Sequence, residues 1–301
     1  MINEFAVEPK VMSTWTDFKS IYDRFGIEHG RLISKYPKKW KRFVFEESEG
    51  RGDIERKKIE EKLAQIDSKL FDQSRPYDGT QTWLQNAESI HHSYPFRAIV
   101  ATQNPRHMYY VLLLDQLDEG CILWHVAREK RIPRTAAALA ASTKAIISQS
   151  QEILFVDPHF APEVERYRAT LKEFLRIIHN VCASPIRIEY HLMQKSTYSF
   201  FSSECKRKLP SLLSRGTGVR FVRWKEKPNG DKLHARYLLT EKVGLRFETG
   251  LDEGELGQTT DVTLLDIGLH QQRWKQYQDA CPTNQTGSFE YVDEVTIIGI
   301  A

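Results

Sequence analysis

The chain lacks most of the features that announce a specialised class. Its four cysteines, Cys121, Cys182, Cys205 and Cys281, lie far apart, with no C-x-x-C and no paired Cys/His spacing. That argues against a structural zinc site or a disulfide scaffold and is expected of reduced thiols in a cytoplasmic protein. The longest mainly apolar stretch, 108–114, has seven residues, whereas a membrane span needs about 20. The opening Met1-Ile2-Asn3-Glu4-Phe5 shows no basic segment leading into an apolar one, so no secretory signal is expected. Neither G-x-x-x-x-G-K-[ST] nor G-x-G-x-x-G occurs, which disfavours an NTPase or a dinucleotide enzyme. His91, His92 and His107 have no acidic or cysteine partner at ligand spacing, so neither a metal nor any other cofactor is expected. No charge dominates: 43 Lys+Arg against 40 Asp+Glu leave a net +3, too little by itself to declare a polyanion partner.

What is present is an ordinary soluble mix, 41% hydrophobic and 28% charged over 301 residues, enough for one large domain or two ordinary ones. Residues 1–79 are the most charged and least patterned, a largely helical accessory region in which Ile59, Leu63, Ile66 and Leu70 mark one amphipathic helix. They are a candidate docking surface for a protein partner or a second copy. Residues 80–144 read as an α/β segment, with a helix at 82–93, short strands at 96–101, 109–114 and 121–125, and an alanine-rich helix at 134–148. A helix, a strand, a proline loop and His107 there mirror the run into His234, so this segment is a possible degenerate half-repeat.

Residues 145–301 form the third segment. Strands are predicted at 152–156, 186–192, 219–224, 233–240, 245–249, 262–265 and 292–298, with helices at 162–180, 203–214 and 271–281. Alternating strands and helices followed by hairpins imply an α/β fold, a mixed β-sheet flanked by helices, with an α-rich or α/β region before it.

The chemistry concentrates in residues 232–241, Lys-Leu-His-Ala-Arg-Tyr-Leu-Leu-Thr-Glu. In a strand, His234, Arg236 and Leu238 share one face, so an imidazole and a guanidinium stand about 6–7 Å apart along it. The cation suits the non-bridging oxygens of a phosphodiester, and the imidazole suits attack on phosphorus or proton transfer. Downstream, Thr249-Gly250-Leu251-Asp252 offers a glycine and a hydroxyl where backbone approaches a ligand. Asp157-Pro158-His159 follows a strand's carboxyl end, where α/β sheets bind ligands, making His159 a candidate pocket residue.

These residues resemble the motif of the phospholipase D superfamily: His-x-Lys, four residues, Asp, then about six residues and Gly-Ser/Gly-x-Asn. His234 stands for the histidine, Arg236 for the lysine, Glu241 for the aspartate and 249–252 for the last element, and the likeness spans roughly residues 150–301. Asp261 matches the acidic residue that often follows and orients the histidine. The resemblance implies a metal-independent phosphodiesterase working through a phosphohistidine, with His234, Arg236, Glu241 and Asp261 as its catalytic set. It also implies a homodimer that brings two such histidines together, because Tyr109 leaves His107 without a cation at its +2 position. Arg for Lys, Glu for Asp and Asp252 for Asn depart from the family, and Asp252 sets a second carboxylate near an anionic substrate.

The substrate is read from charge. Lys206, Arg207, Lys208, Arg220, Arg223, Lys225, Lys227 and Lys232 precede Arg236, with Trp224 and Tyr237 interleaved. That pattern suits a nucleic-acid backbone, DNA or RNA, with Lys232 and Arg223 as candidate substrate-binding residues beside Thr249, Asp252 and His159. No apolar stripe suggests a membrane partner. The expected function is a cytoplasmic nuclease, with a role in antiviral defence by analogy with the family. The alternative is a subunit that kept the fold, binds nucleic acid or scaffolds, and lost the chemistry. A third reading is a module whose basic face binds an acidic protein.

Overall fold

Phe5, Ala6 and Val7 are all fully buried, as in a strand covered on both faces. The computed structural model describes residues 1–72, 74–181, 187–278 and 288–300, and the chain divides into two compact units, Met1–Ala127 and Arg128–Ala301. In the first unit β1 (Asn3–Val7), β2 (Arg31–Ser34), β3 (Leu70–Phe71), β4 (Ile99–Val100) and β5 (Val111–Leu112) form one sheet in the order β3-β2-β1-β4-β5. Every pairing in it is parallel. Phe5 and Val7 pack with residues of α1 (Trp15–Arg24), α2 (Trp40–Glu47) and α3 (Asp53–Gln65), while Ala6 and Ile99 pack with α4 (Trp83–Ser93).

Residues 1–79 carry α1, α2 and α3 and also supply three of the five strands, which were not expected from the sequence. The strands were hidden because they are short and do not alternate. β2 is Arg-Leu-Ile-Ser with all four residues buried, and Arg31 is tolerated there because it pairs with Glu119 at 2.6 Å and stacks on Trp124. Residues 121–125 are turns, not a strand, since the Trp124 and His125 amides both donate to the Cys121 carbonyl. The boundaries move accordingly. Residues 80–127 complete the first sheet, and 128–144 belong to the second, so 80–144 is split between two sheets and forms no single half-repeat.

The second unit runs β6 (Glu129–Pro133), α5 (Ala136–Ile147), β7 (Glu152–Val156), α6 (Glu165–Val181), β8 (Arg187–Met193), α7 (Tyr198–Lys208), β9 (Gly218–Glu226), β10 (Arg236–Thr240), β11 (Gly244–Phe247), β12 (Thr259–Leu264), α8 (Ile267–Gln278) and β13 (Phe289–Ile298). Its eight-stranded sheet has the order β13-β9-β8-β7-β10-β11-β12-β6. β7, β8 and β9 are parallel, and the remaining pairs are antiparallel. The fold is therefore α/β, a mixed sheet flanked by helices. On one face Val156, Val222, Tyr237 and Leu239 pack with Tyr277 of α8; on the other, Phe155 packs on Phe174 of α6 and on Tyr190. α7 begins at Tyr198, ahead of the expected 203, because the Thr197 hydroxyl caps it by accepting from the Phe200 amide. Cys121 and Cys205 are free thiols; Cys182, Cys281, the start of the strand expected at 186 and the end of the helix expected at 271–281 lie outside the described residues.

One consequence of this pairing positions the site. The carboxyl ends of β6, β7, β8, β9 and β11 and the amino ends of β10 and β12 all reach one rim of the sheet.

Buried histidines add a pH dependence. His191 is fully buried, accepts at Nδ1 from Trp224 Nε1 at 3.1 Å and meets Glu189 at 3.0 Å through Nε2. His270 is held through Nε2 to the Thr240 carbonyl at 2.8 Å. Burial lowers both below the ordinary 6.5, more than Glu189 and the Thr240 carbonyl raise them. The unfolded chain thus takes up protons first, so stability is complete above about pH 6.5 and falls as the pH drops below it. Urea midpoints should fall between pH 7.5 and 5.5, and the drop should shrink in His191→Gln; an equal drop in both proteins would contradict this assignment.

Candidate active site

The rim is organised by one carboxylate. β7 ends at Val156, and the next residue, Asp157, is only 1% exposed. Its Oδ1 accepts from the His159 amide at 2.9 Å and its Oδ2 from the Leu251 amide at 2.8 Å. Two loops that are distant in sequence are thereby tied to the end of one strand. Burial pushes the Asp157 carboxyl above its ordinary range, against the pull of those two amides and of Arg236. Gly250 lets the second loop close in. Its φ is +144°, and a Cβ there would lie 2.4 Å from Asp252 Oδ1, so a side chain is excluded twice over.

Antiparallel pairing of β7 with β10 runs from Thr240↔Ile153 to Tyr237↔Val156. Arg236 is the next residue beyond the last of these pairs and Asp157 is its counterpart just past β7, close enough for the Arg236 charge to act on the carboxyl. Arg236 begins β10, while His234, expected within the strand, lies in the preceding turn, exposed, two residues ahead of it. The strand starts late because Glu226 accepts the Leu233 amide at 3.0 Å and pairs with Lys232 at 2.7 Å, closing the loop ahead of it. Among the described residues Arg236 has no carboxylate at ion-pair distance, and its buried Nε makes no hydrogen bond. The His234 ring likewise makes none. Both line an open cleft of about 380 Å³ together with Glu129, Arg246, Glu248, Asp261 and Thr263.

His159 joins them. Its Nδ1 meets Lys195 Nζ at 2.5 Å, from the loop just past the carboxyl end of β8. Partial burial, then the charge of Lys195, lower its proton affinity; Asp157 opposes this, and Arg236 and His234 add to it. Two imidazoles, an ammonium and a guanidinium therefore share the rim within reach of one another's fields.

Asp252 is buried too, but its charge is met. Arg134 Nη2 reaches Oδ1 at 2.5 Å and Arg166 Nε reaches Oδ2 at 2.9 Å. The repulsion expected from this carboxylate is thus cancelled by residues from β6's end and from α6, and no part of Asp252 is left to bind substrate directly. Thr249, exposed, donates its hydroxyl to Thr260 at 2.9 Å beside it.

Other candidates lie elsewhere. Glu241 follows the far end of β10, five residues or about 17 Å from Arg236, where it accepts the Gln151 and Glu152 amides at 3.1 Å and so caps the start of β7. Asp261 borders the cleft from the opposite face of the sheet, because Arg236, Phe247 and Val262 are in register on one face. It pairs with Arg131, and neither it nor Glu241 bonds His234.

Arg223 is 1% exposed, held by Asp293 at 2.5 and 2.6 Å, and it donates to the Ser196 carbonyl at 3.0 Å. Its role is to brace the loop that carries Lys195. Arg220 pairs with Glu189 and Glu294, and Arg207 with Glu204. Trp224 and Tyr237 are core residues. The cationic, aromatic approach expected from the sequence is in large part a set of internal ion pairs and packed rings. Residues that bear on the site and were not singled out are Asp157, Lys195, Arg134 and Arg166. Asp157 and Lys195 carried the same signal as His159, a position just past a strand's carboxyl end. Among the described residues no group of three or more His, Cys, Asp or Glu is placed to hold a metal ion, and no helix is long and apolar enough to cross a membrane.

Removing Asp157 by alanine leaves two amides without their acceptor and should cost about 2–4 kcal/mol. Arg223→Ala strands Asp293 and should cost about 3 kcal/mol. Urea denaturation measures both. Arg223→Ala, assayed where it remains folded, should bind inorganic phosphate as the parent does; a tenfold loss would show that Arg223 reaches the ligand.

No family model and no curated protein matches the chain. Among solved structures it is similar to the archaeal chromatin protein TrmBL2, described as showing a novel mode of DNA binding, at 13% identity and a TM-score of 0.27, over 50% of this chain and 52% of that one. It is also similar to polyphosphate kinase from Porphyromonas gingivalis, at 14% identity and a TM-score of 0.32, over 53% of this chain and 27% of the kinase. The chain thus spans about half of one neighbour and a quarter of the other, and likenesses at these scores carry no functional argument.

Proposed function

We propose that the second unit binds and cleaves a phosphodiester at this rim, with a DNA or RNA strand as the substrate. The observation that carries the reading is Arg236, among the described residues an unpaired guanidinium with a buried, unbonded Nε, which lines an open cleft with His234 and whose charge reaches the His159 imidazole. A buried donor without an acceptor is costly, and a phosphate oxygen repairs the deficit with a charge-assisted bond. His234, whose ring makes no hydrogen bond among the described residues, attacks phosphorus through a nitrogen lone pair. The ester P–O bond breaks, a phosphohistidine forms, and water then cleaves the P–N bond. Arg236 holds the charge that grows on the non-bridging oxygens.

The ion pairs of Arg207, Arg220, Arg223 and Lys232 favour a small footprint. Contact is with one or two phosphates, so the logarithmic salt slope of binding should be about −1 to −2. The same footprint also suits the second reading, a subunit that holds phosphate without cleaving it.

The test is a labelled single- or double-stranded DNA or RNA incubated in EDTA. Cleavage is expected, lost at least 100-fold in His234→Ala, with Arg236→Ala weakening binding about 10- to 100-fold. Binding without cleavage, unchanged by His234→Ala, would establish the second reading in place of the first.

A further inference from the structure

We propose that His159 and Lys195 form the proton-donating pair for His234, so that one chain carries the whole reaction centre and needs no second copy. This rests on the reading of His234 as the group that attacks phosphorus. Three observations support it. His159 and His234 stand in the turns that follow β7 and precede β10, two strands paired side by side, and the charges of Arg236 and His234 both reach the His159 ring. Asp157 holds the His159 backbone amide at 2.9 Å, and so fixes that residue to the same strand end that faces Arg236. Lys195 Nζ lies 2.5 Å from His159 Nδ1.

The last contact decides the tautomer. An ammonium only donates, so Nδ1 accepts and the ring proton of a neutral His159 sits on Nε2. A nitrogen that carries a proton has no free lone pair for phosphorus, whereas the His234 ring is constrained by no bond among the described residues. The two histidines therefore divide the labour. As His234 attacks and the ester P–O bond breaks, the Nε2 proton passes to the leaving oxygen, and a Lys195 proton moves onto Nδ1 to replace it. The products are the free alcohol, the phosphohistidine, and a neutral imidazole beside a neutral amine. When water attacks phosphorus, its proton goes to Nε2 and the Nδ1 proton returns to Lys195, which restores the starting charges. The neighbouring ammonium also disfavours a positively charged His159, consistent with a relay through a neutral ring.

A proton donor matters in proportion to how poor the leaving group is. The experiment compares bis(p-nitrophenyl) phosphate, whose leaving group departs unaided, with the dinucleotide TpT, whose alkoxide does not. His159 is exposed, so its replacement leaves the core intact. His159→Ala and Lys195→Met should each lose about 100-fold or more on TpT and less than fivefold on the nitrophenyl ester, while His234→Ala loses both. Equal losses on both substrates in His159→Ala would overturn the inference and leave His159 as a scaffold residue. Mixing His159→Ala with His234→Ala protein should restore nothing; recovered activity would mean that two chains share the site. A parent chain that cleaves neither ester, or a His234→Ala protein that cleaves both normally, would instead remove the underlying reading, and this inference with it.

Discussion

A carboxylate buried at the end of β7 holds the site together. Asp157 gives one oxygen to the loop that carries His159 and the other to the loop that carries Gly250 and Asp252, and it faces Arg236 across the sheet. Such a group is unfavourable in isolation; here it is tolerated because two amides and a guanidinium answer it. Asp252 follows the same rule with Arg134 and Arg166. The difference between the two sets the chemistry. Asp252 consumes its arginines, whereas Arg236 faces Asp157 only through space and keeps its donors for something else.

Topology explains why residues so far apart in sequence meet. Three parallel strands deliver their carboxyl ends to one rim, and the antiparallel hairpins beside them return to the same rim with the starts of β10 and β12. Loop residues at that rim are free to vary without disturbing the packed faces, and a rigid sheet positions them. Lys195 illustrates the arrangement. It stands on a loop braced from behind by Arg223, whose own charge is spent on Asp293 and the Ser196 carbonyl.

Much of this architecture was legible in the sequence. The run Glu-Ile-Leu-Phe-Val before Asp157 is a strand over the residues expected, and the shared face of Arg236 and Leu238 follows from the period of two. The charge argument failed for a physical reason: a linear count of cations does not show which carboxylate each one meets after folding. Arg223 and Asp293 are 70 residues apart and in contact. Glu241 and Asp261 illustrate a second limit. The first is carried to the wrong end of a strand by its length, and the second to the wrong face by one residue of register. In the first unit β4 and β5 lie inside the strands expected at 96–101 and 109–114, whereas β2 and β3 went unread because a two-residue strand and a buried Arg31 carry no periodic signal.

The central claim is that Arg236, His234 and His159 face one phosphate. Side-chain ¹⁵N NMR during titration with inorganic phosphate tests it most directly. The account predicts that Arg236 Nε and the His234 and His159 ring nitrogens shift together along one saturating curve, with His159 carrying its proton on Nε2 at neutral pH. Phosphate-independent spectra, or shifts confined to exposed lysines, would contradict it.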